Sequence, residues 1–146
     1  MSVRFAAAAT LCLIATSALL AEQPQRVEVA VLVQSTSSWN GMPFESFPKG
    51  QPELTVVRMT IPPNTTLPWH KHSMLSTAYV VSGQVTVEDR ATGQKRLVRT
   101  GEAVVEQVGA EHRGFTGEDA CVVIVTYAGT PGMPRSIASP GEKSDH

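Results

Sequence analysis

The chain has 146 residues, 42% of them hydrophobic and 17% charged, with a formal net charge of −1 at neutral pH. That length fits a single domain. The near-balanced charge gives neither nucleic acid nor an anionic membrane surface an electrostatic footprint to bind.

The first 21 residues read as a secretory signal peptide rather than as part of the fold. Met1 to Arg4 is short and weakly positive, and Phe5 to Leu20 is uncharged and rich in alanine and leucine. Ala21 or Ala18 can supply the small residue before a cut. A retained membrane anchor is the rival reading, because the apolar run is only slightly shorter than a span. Removal of residues 1–21 takes away Arg4 and Cys12 and leaves 11 basic against 13 acidic side chains, a net charge of −2. The expected location is therefore periplasmic or secreted, with no membrane contact once the leader is gone. Cys121 then stands alone, so an internal disulfide is excluded and the core has to hold the fold. About 125 residues is enough for that. Cys121 lies in the apolar run CVVIVTY, which points to a buried, inert thiol.

The rest of the chain is rich in β-branched residues, glycine and proline and has no helical period. Residues 22–34 form an N-terminal strand region, with VEVAVLV (27–33) as the strand. Residues 35–52 are a Ser/Gly/Pro-rich loop in which Trp39 and Phe44 either make a lid or anchor the loop. The main body spans 53–129. ELTVVRMTI (53–61) is a strand stopped by the turn signal PPN, and TAYVVSGQVTVED (77–89) is two strands around a Ser-Gly turn. QKRLV, AVVEQV (103–108), HRGFT and CVVIVTYAG (121–129) follow, separated by glycine turns. Residues 130–146 are a Pro/Gly-rich flexible tail. Short strands with turn signals every 8 to 12 residues, and no helical spacers, predict an all-β antiparallel sandwich or closed barrel.

Two of the four histidines sit in LPWHKHS (67–73). On a strand, residues two apart share a face about 7 Å apart. His70 and His72 thus project together, and two imidazoles on one face can converge on one ion or simply be surface residues. His112 closes GEAVVEQVGAEH (101–112), a strand followed by a glycine turn. His146, the terminal residue, is assigned to solvent.

These two stretches resemble the motifs of the cupin family. PPNTTLPWHKHSMLSTAYVVSG (62–83) is similar to the first, with its His-x-His and its closing Gly83. GEAVVEQVGAEH is similar to the second, with Gly101, Gly109 and His112 at matching places. The resemblance runs from about Glu53 to Ala128. It implies an antiparallel jelly-roll β-barrel, single-domain, with a divalent transition metal ion (Fe, Mn, Zn, Cu or Ni) inside its wide end on His70, His72 and His112. Two positions depart from the pattern. The usual glutamate of the first motif is replaced by Ser76 or Thr77, and the usual proline of the second by Gln107.

Glu106 is the candidate replacement carboxylate. By strand parity it shares a face with Val104, which reads as core. It is then a fourth metal ligand, or a catalytic base acting beside the metal. The alternative places it at the rim, paired with Arg113 or Arg58. Three protein ligands with open positions make a catalytic rather than a closed structural site, and the resemblance points to dioxygenase-like chemistry on a small organic molecule. Isomerase or lyase chemistry, a non-catalytic metal- or ligand-binding module, and a structural protein remain open as alternatives. The expected partners are a small molecule and a second copy of the chain in a homodimer.

Overall fold

The computed structural model describes residues 26–143. The expected leader at 1–21, Cys12 and His146 lie outside the described residues. The structure is all-β. Its strands are β1 (Glu53–Ile61), β2 (His70–Lys71), β3 (Leu75–Ser82), β4 (Gln84–Asp89), β5 (Lys95–Arg99), β6 (Ala103–Val105), β7 (His112–Phe115), β8 (Cys121–Gly129) and β9 (Ile137–Ala138). Among the described residues no helix is long and apolar enough to cross a membrane.

The strands form two antiparallel sheets. One has the order β1-β8-β3-β6 and the other β5-β4-β7-β2-β9. The closed barrel expected from the motifs is not formed: no named strand of one sheet pairs with a strand of the other, and the two sheets face each other as a sandwich. Alternation explains the packing. Along β8 every second residue is buried, from Cys121 through Val123 and Val125 to Tyr127. Val80, Val85, Val87, Val98 and Val104 meet them in one core cluster. Each such valine, fully buried, contributes roughly 1.5–3 kcal/mol.

Three further expectations are corrected. VEVAVLV (27–33) has the alternation of a strand but forms none, because no strand among the described residues pairs with it; Val27, Val29 and Val31 face solvent. AVVEQV is strand only from Ala103 to Val105. The tail expected to be loose contains a strand: β9 pairs with β2, and Ser139 is buried and donates to Glu111 at 2.6 Å.

The long loop is anchored rather than open. Trp39 donates its backbone N–H to the Val105 carbonyl at 2.9 Å. Asp89, buried at the end of β4, gathers the neighbouring segments. It accepts from the Gln107 side chain, from Asn40 Nδ2 at 2.8 Å, and from the Thr92 backbone and hydroxyl at 2.7 and 2.9 Å. Burial works against its charge, but these donors outweigh it and hold its carboxyl below the usual range. Gln107, in place of the usual proline, is thus a fully buried donor to this carboxylate.

Gly83 turns β3 into β4 with φ of +74°. Any side chain there would be strained in that conformation and would also collide with the Ala120 backbone carbonyl. Gly83→Ala is expected to destabilise the fold by roughly 1–3 kcal/mol. This should show as a lower urea midpoint with an unchanged slope.

Candidate metal centre

Three histidines are brought together inside the sandwich by strand pairing. His70 lies directly opposite His112 in the β2–β7 register. His72 follows two residues later, just past β2, and bridges to Val108. All three are buried, and each offers one ring nitrogen within 4.8 Å of the others. Their ring centroids lie 4.7 to 5.0 Å apart.

The backbone sets which nitrogen each ring presents. His70 Nδ1 donates to the Pro68 carbonyl at 2.9 Å, His72 Nδ1 to the Arg135 carbonyl at 2.6 Å, and His112 Nδ1 to the Ala110 carbonyl at 3.0 Å. A carbonyl can only accept, so Nδ1 carries the proton in each ring and the Nε2 lone pair is left to face inward. Nε2 of His72 and of His112 is buried without a hydrogen bond.

Glu106 lies beside this group. Its Oε2 lies 3.1 Å from His72 Nε2 and accepts the Ser76 hydroxyl at 2.6 Å. The rim alternative is not what the structure shows: Arg113 pairs with Glu88 at 2.8 Å, and Arg58 is exposed. Ser76, at the position where the family has a glutamate, orients the carboxylate that comes from the other motif.

A lone pair and a carboxylate oxygen 3.1 Å apart repel unless a cation lies between or beside them. A proton on His72 or a metal ion can play that part. The electrostatics of the bare residues reflect this. Burial pushes His70 down to about 4, with His112 adding to the effect, and burial also lowers His112. Burial opposes a charge on His72 as well, but the Glu106 carboxylate outweighs it and raises the pKa. Burial disfavours the charge on Glu106, yet His72, His112 and the Ser76 hydroxyl hold it well below the ordinary carboxylate range. Three neutral imidazoles are a donor set that suits Fe, Mn, Zn, Cu or Ni, so His70, His72 and His112 could hold a divalent transition metal ion.

An interior cavity of about 50 Å³ adjoins the histidines. Apart from them and Glu106 its walls are apolar, including Ile61, Val80, Val104 and Val125. Tyr127 also lines it and packs edge-on against His72 at 5.5 Å between ring centroids. Trp69 does not line this cavity; Arg113 lies over its ring, 4.2 Å from the centroid. Tyr79 points outward.

Two features of the site escaped sequence reasoning. Tyr127 was detectable, because it continues the inward alternation of Cys121, Val123 and Val125. The Arg135 carbonyl was not, because nothing in TPGMPRSIASP (130–140) says that this segment returns to pair with β2.

Residues 57–127 match the family model described as the cupin domain. No protein of curated function matches the sequence. Among solved structures, the polyketide cyclase RemF from Streptomyces resistomycificus is similar, with 22% identity, a TM-score of 0.52 and 63% of each chain covered. The DMSP lyase DddQ from Ruegeria pomeroyi superposes with a TM-score of 0.55 at 18% identity, over 71% of this chain and 49% of that one. A cupin-like protein from Thermotoga maritima gives a TM-score of 0.51 at 16% identity, over 59% of this chain and 64% of the other. The chain thus spans less than two thirds of these neighbours, and at such identities they speak for the fold alone. Residues 57–127 form a cupin domain.

Two sets of variants test the centre. His70→Ala, His72→Ala and His112→Ala are each expected to reduce bound metal at least tenfold, measured by elemental analysis of the purified protein, while replacement of His146 leaves it unchanged. Truncation after Met133 removes β9 and the carbonyl that holds His72; affinity should fall about 10- to 100-fold, the usual effect of losing an outer partner of a ligand. Protonated imidazole cannot bind a cation. Metal should therefore be released on acidification, with His72 the first competitor for a proton because its pKa is raised.

Proposed function

We propose that this protein is an exported cupin that holds a divalent transition metal ion on His70, His72 and His112, with Glu106 as the fourth ligand or as a base beside it, and that it acts as a metal-dependent enzyme of dioxygenase-like type on a small organic molecule. The observation that carries the reading is the convergence of three backbone-locked imidazoles beside an apolar cavity, with the Glu106 carboxylate 3.1 Å from one of them. The leader-like residues 1–21 support export.

The metal would supply Lewis acidity and open positions where substrate and oxygen could meet. The chain's own residues do the rest. The Nδ1–H bonds to Pro68, Arg135 and Ala110 keep the imidazoles from rotating. The valine walls exclude bulk water and so strengthen every charge interaction inside. Glu106, held by the Ser76 hydroxyl, stands where its Oε2 can take a proton from a bound molecule.

The cavity, about 50 Å³, sets a size limit. It has room for roughly three to five water-sized groups, so only a small reacting fragment fits unless the walls move. The same small volume favours the second reading, a non-catalytic module that holds a metal or a small ligand.

Oxygen uptake by the metal-loaded protein, offered enols, diketones and phenols, distinguishes the two. The enzyme reading expects uptake with at least one class, and a loss of roughly 10²-fold or more in Glu106→Gln if the carboxylate is the base. Full metal occupancy with no uptake from any class would leave the binding module.

A further inference from the structure

The inward face of the sheet β1-β8-β3-β6 changes character at one row. Val57, Val125, Ala78 and Val104 make one apolar row, and Met59, Val123 and Val80 make the next. The row nearest the histidines is polar throughout. The register places Thr55 beside Tyr127 and Tyr127 beside Ser76. Glu106 follows, its backbone N–H donating to the Ser76 carbonyl at 3.0 Å. Neighbouring strands lie about 4.8 Å apart, so four oxygen-bearing side chains form one line across the wall.

Two of these groups already have partners. The Ser76 hydroxyl donates to Glu106, and Glu106 lies 3.1 Å from His72 Nε2. Tyr127 differs. It is 2% exposed, lines the cavity and sets its ring edge-on to His72. Its hydroxyl makes no hydrogen bond among the described residues. A buried phenol usually finds a partner, and near neutral pH it keeps its proton and can donate. His72 therefore stands beside both a carboxylate and a donor that has no acceptor. Charge narrows what that donor serves. A divalent ion on three neutral imidazoles, beside the one carboxylate, leaves one positive charge in an apolar interior. A buried charge is costly unless paired, and a bound monoanion balances it.

We propose that Tyr127 is the hydrogen-bond donor that orients the substrate, and that the substrate is a small aliphatic oxyanion with two adjacent acceptor oxygens. One oxygen faces the three Nε2 atoms and the other accepts from the Tyr127 hydroxyl. The carbon end then lies against the valine rows, which line the cavity. The volume of about 50 Å³ admits only a short chain. The inference rests on the metal reading of the site and adds to it the class of molecule and the residue that selects it. Phenylalanine at position 127 keeps the ring that packs on His72 and removes the donor alone, so it separates substrate binding from support of the fold.

Acetate is the probe. The purified chain is loaded with zinc, its zinc content checked by elemental analysis, and titrated with acetate by calorimetry. Acetate is expected to bind saturably, and Tyr127→Phe to weaken it about tenfold or more, the usual effect of losing a hydrogen bond to a charged group. Methanethiolate, a small monoanion with no second acceptor, should bind both proteins equally. Carbon-13 NMR of Cζ-labelled tyrosine gives a second readout on the unaltered chain, which has two tyrosines. The Tyr127 signal should move as acetate is added, while that of the more exposed Tyr79, assigned with Tyr79→Phe, stays in place. This readout decides should Tyr127→Phe fail to fold. Four results would each overturn the proposal: equal acetate affinity in the two proteins, equal weakening of both probes, no saturable acetate binding, or a Tyr127 signal that acetate does not move. A protein that takes up no zinc would overturn the metal reading together with the proposal, whereas those four results arise with zinc bound.

Discussion

The structure turns on one contact, between a histidine nitrogen and a carboxylate, that requires a positive charge. His72 Nε2 faces Glu106 Oε2 across 3.1 Å beside an apolar cavity, and, against the effect of burial, the carboxylate raises the pKa of the ring it faces. A buried carboxylate without a compensating charge is among the costliest arrangements a protein can hold. The rest of the site holds the two groups in place. Ser76 keeps the carboxylate turned inward, and the Arg135 carbonyl keeps the His72 proton on the far nitrogen. The obvious relief is a positive charge, and the other two imidazoles are placed to share it. Their own pKa values are lowered by burial, so they stay neutral and available as ligands.

The fold explains how so short a chain can hold this arrangement. The opposing registers of β2 with β7 and of β2 with β9 place His70 between His112 and the C-terminal segment. That segment then supplies the carbonyl for His72. On the far side, Asp89 joins the end of β4 to Asn40 and Gln107, which fixes the chain immediately beside Glu106. The first-motif carboxylate of the family is absent, and the charge is supplied from the second motif, steadied by the hydroxyl that took the missing residue's place. The carboxylate then comes from just past the end of β6, beside His72.

Much of the site was legible in the sequence because it follows strand parity. Two histidines one residue apart must share a face, and Glu106 shares a face with Val104, which is core. The family resemblance brought His112 into the group. What parity does not contain is pairing. VEVAVLV alternates as a strand should, but alternation says only that one side seeks cover, not where the cover lies. The same limit left open whether two sheets would close into a barrel or stay a sandwich. The tail failed for a different reason. Its prolines and glycines break local pattern, and its order comes from long-range contacts of Ile137, Ala138 and Ser139 that no local signal announces.

The account rests on three imidazoles presenting Nε2 with Nδ1 tied to the backbone. Long-range proton–nitrogen correlation NMR on the zinc-loaded protein reads this tautomer at each histidine directly. The prediction is three protonated Nδ1 atoms, at His70, His72 and His112, with three Nε2 resonances shifted together when zinc is added. A proton on Nε2 of any one of them, or zinc-induced shifts confined to His146, would contradict it.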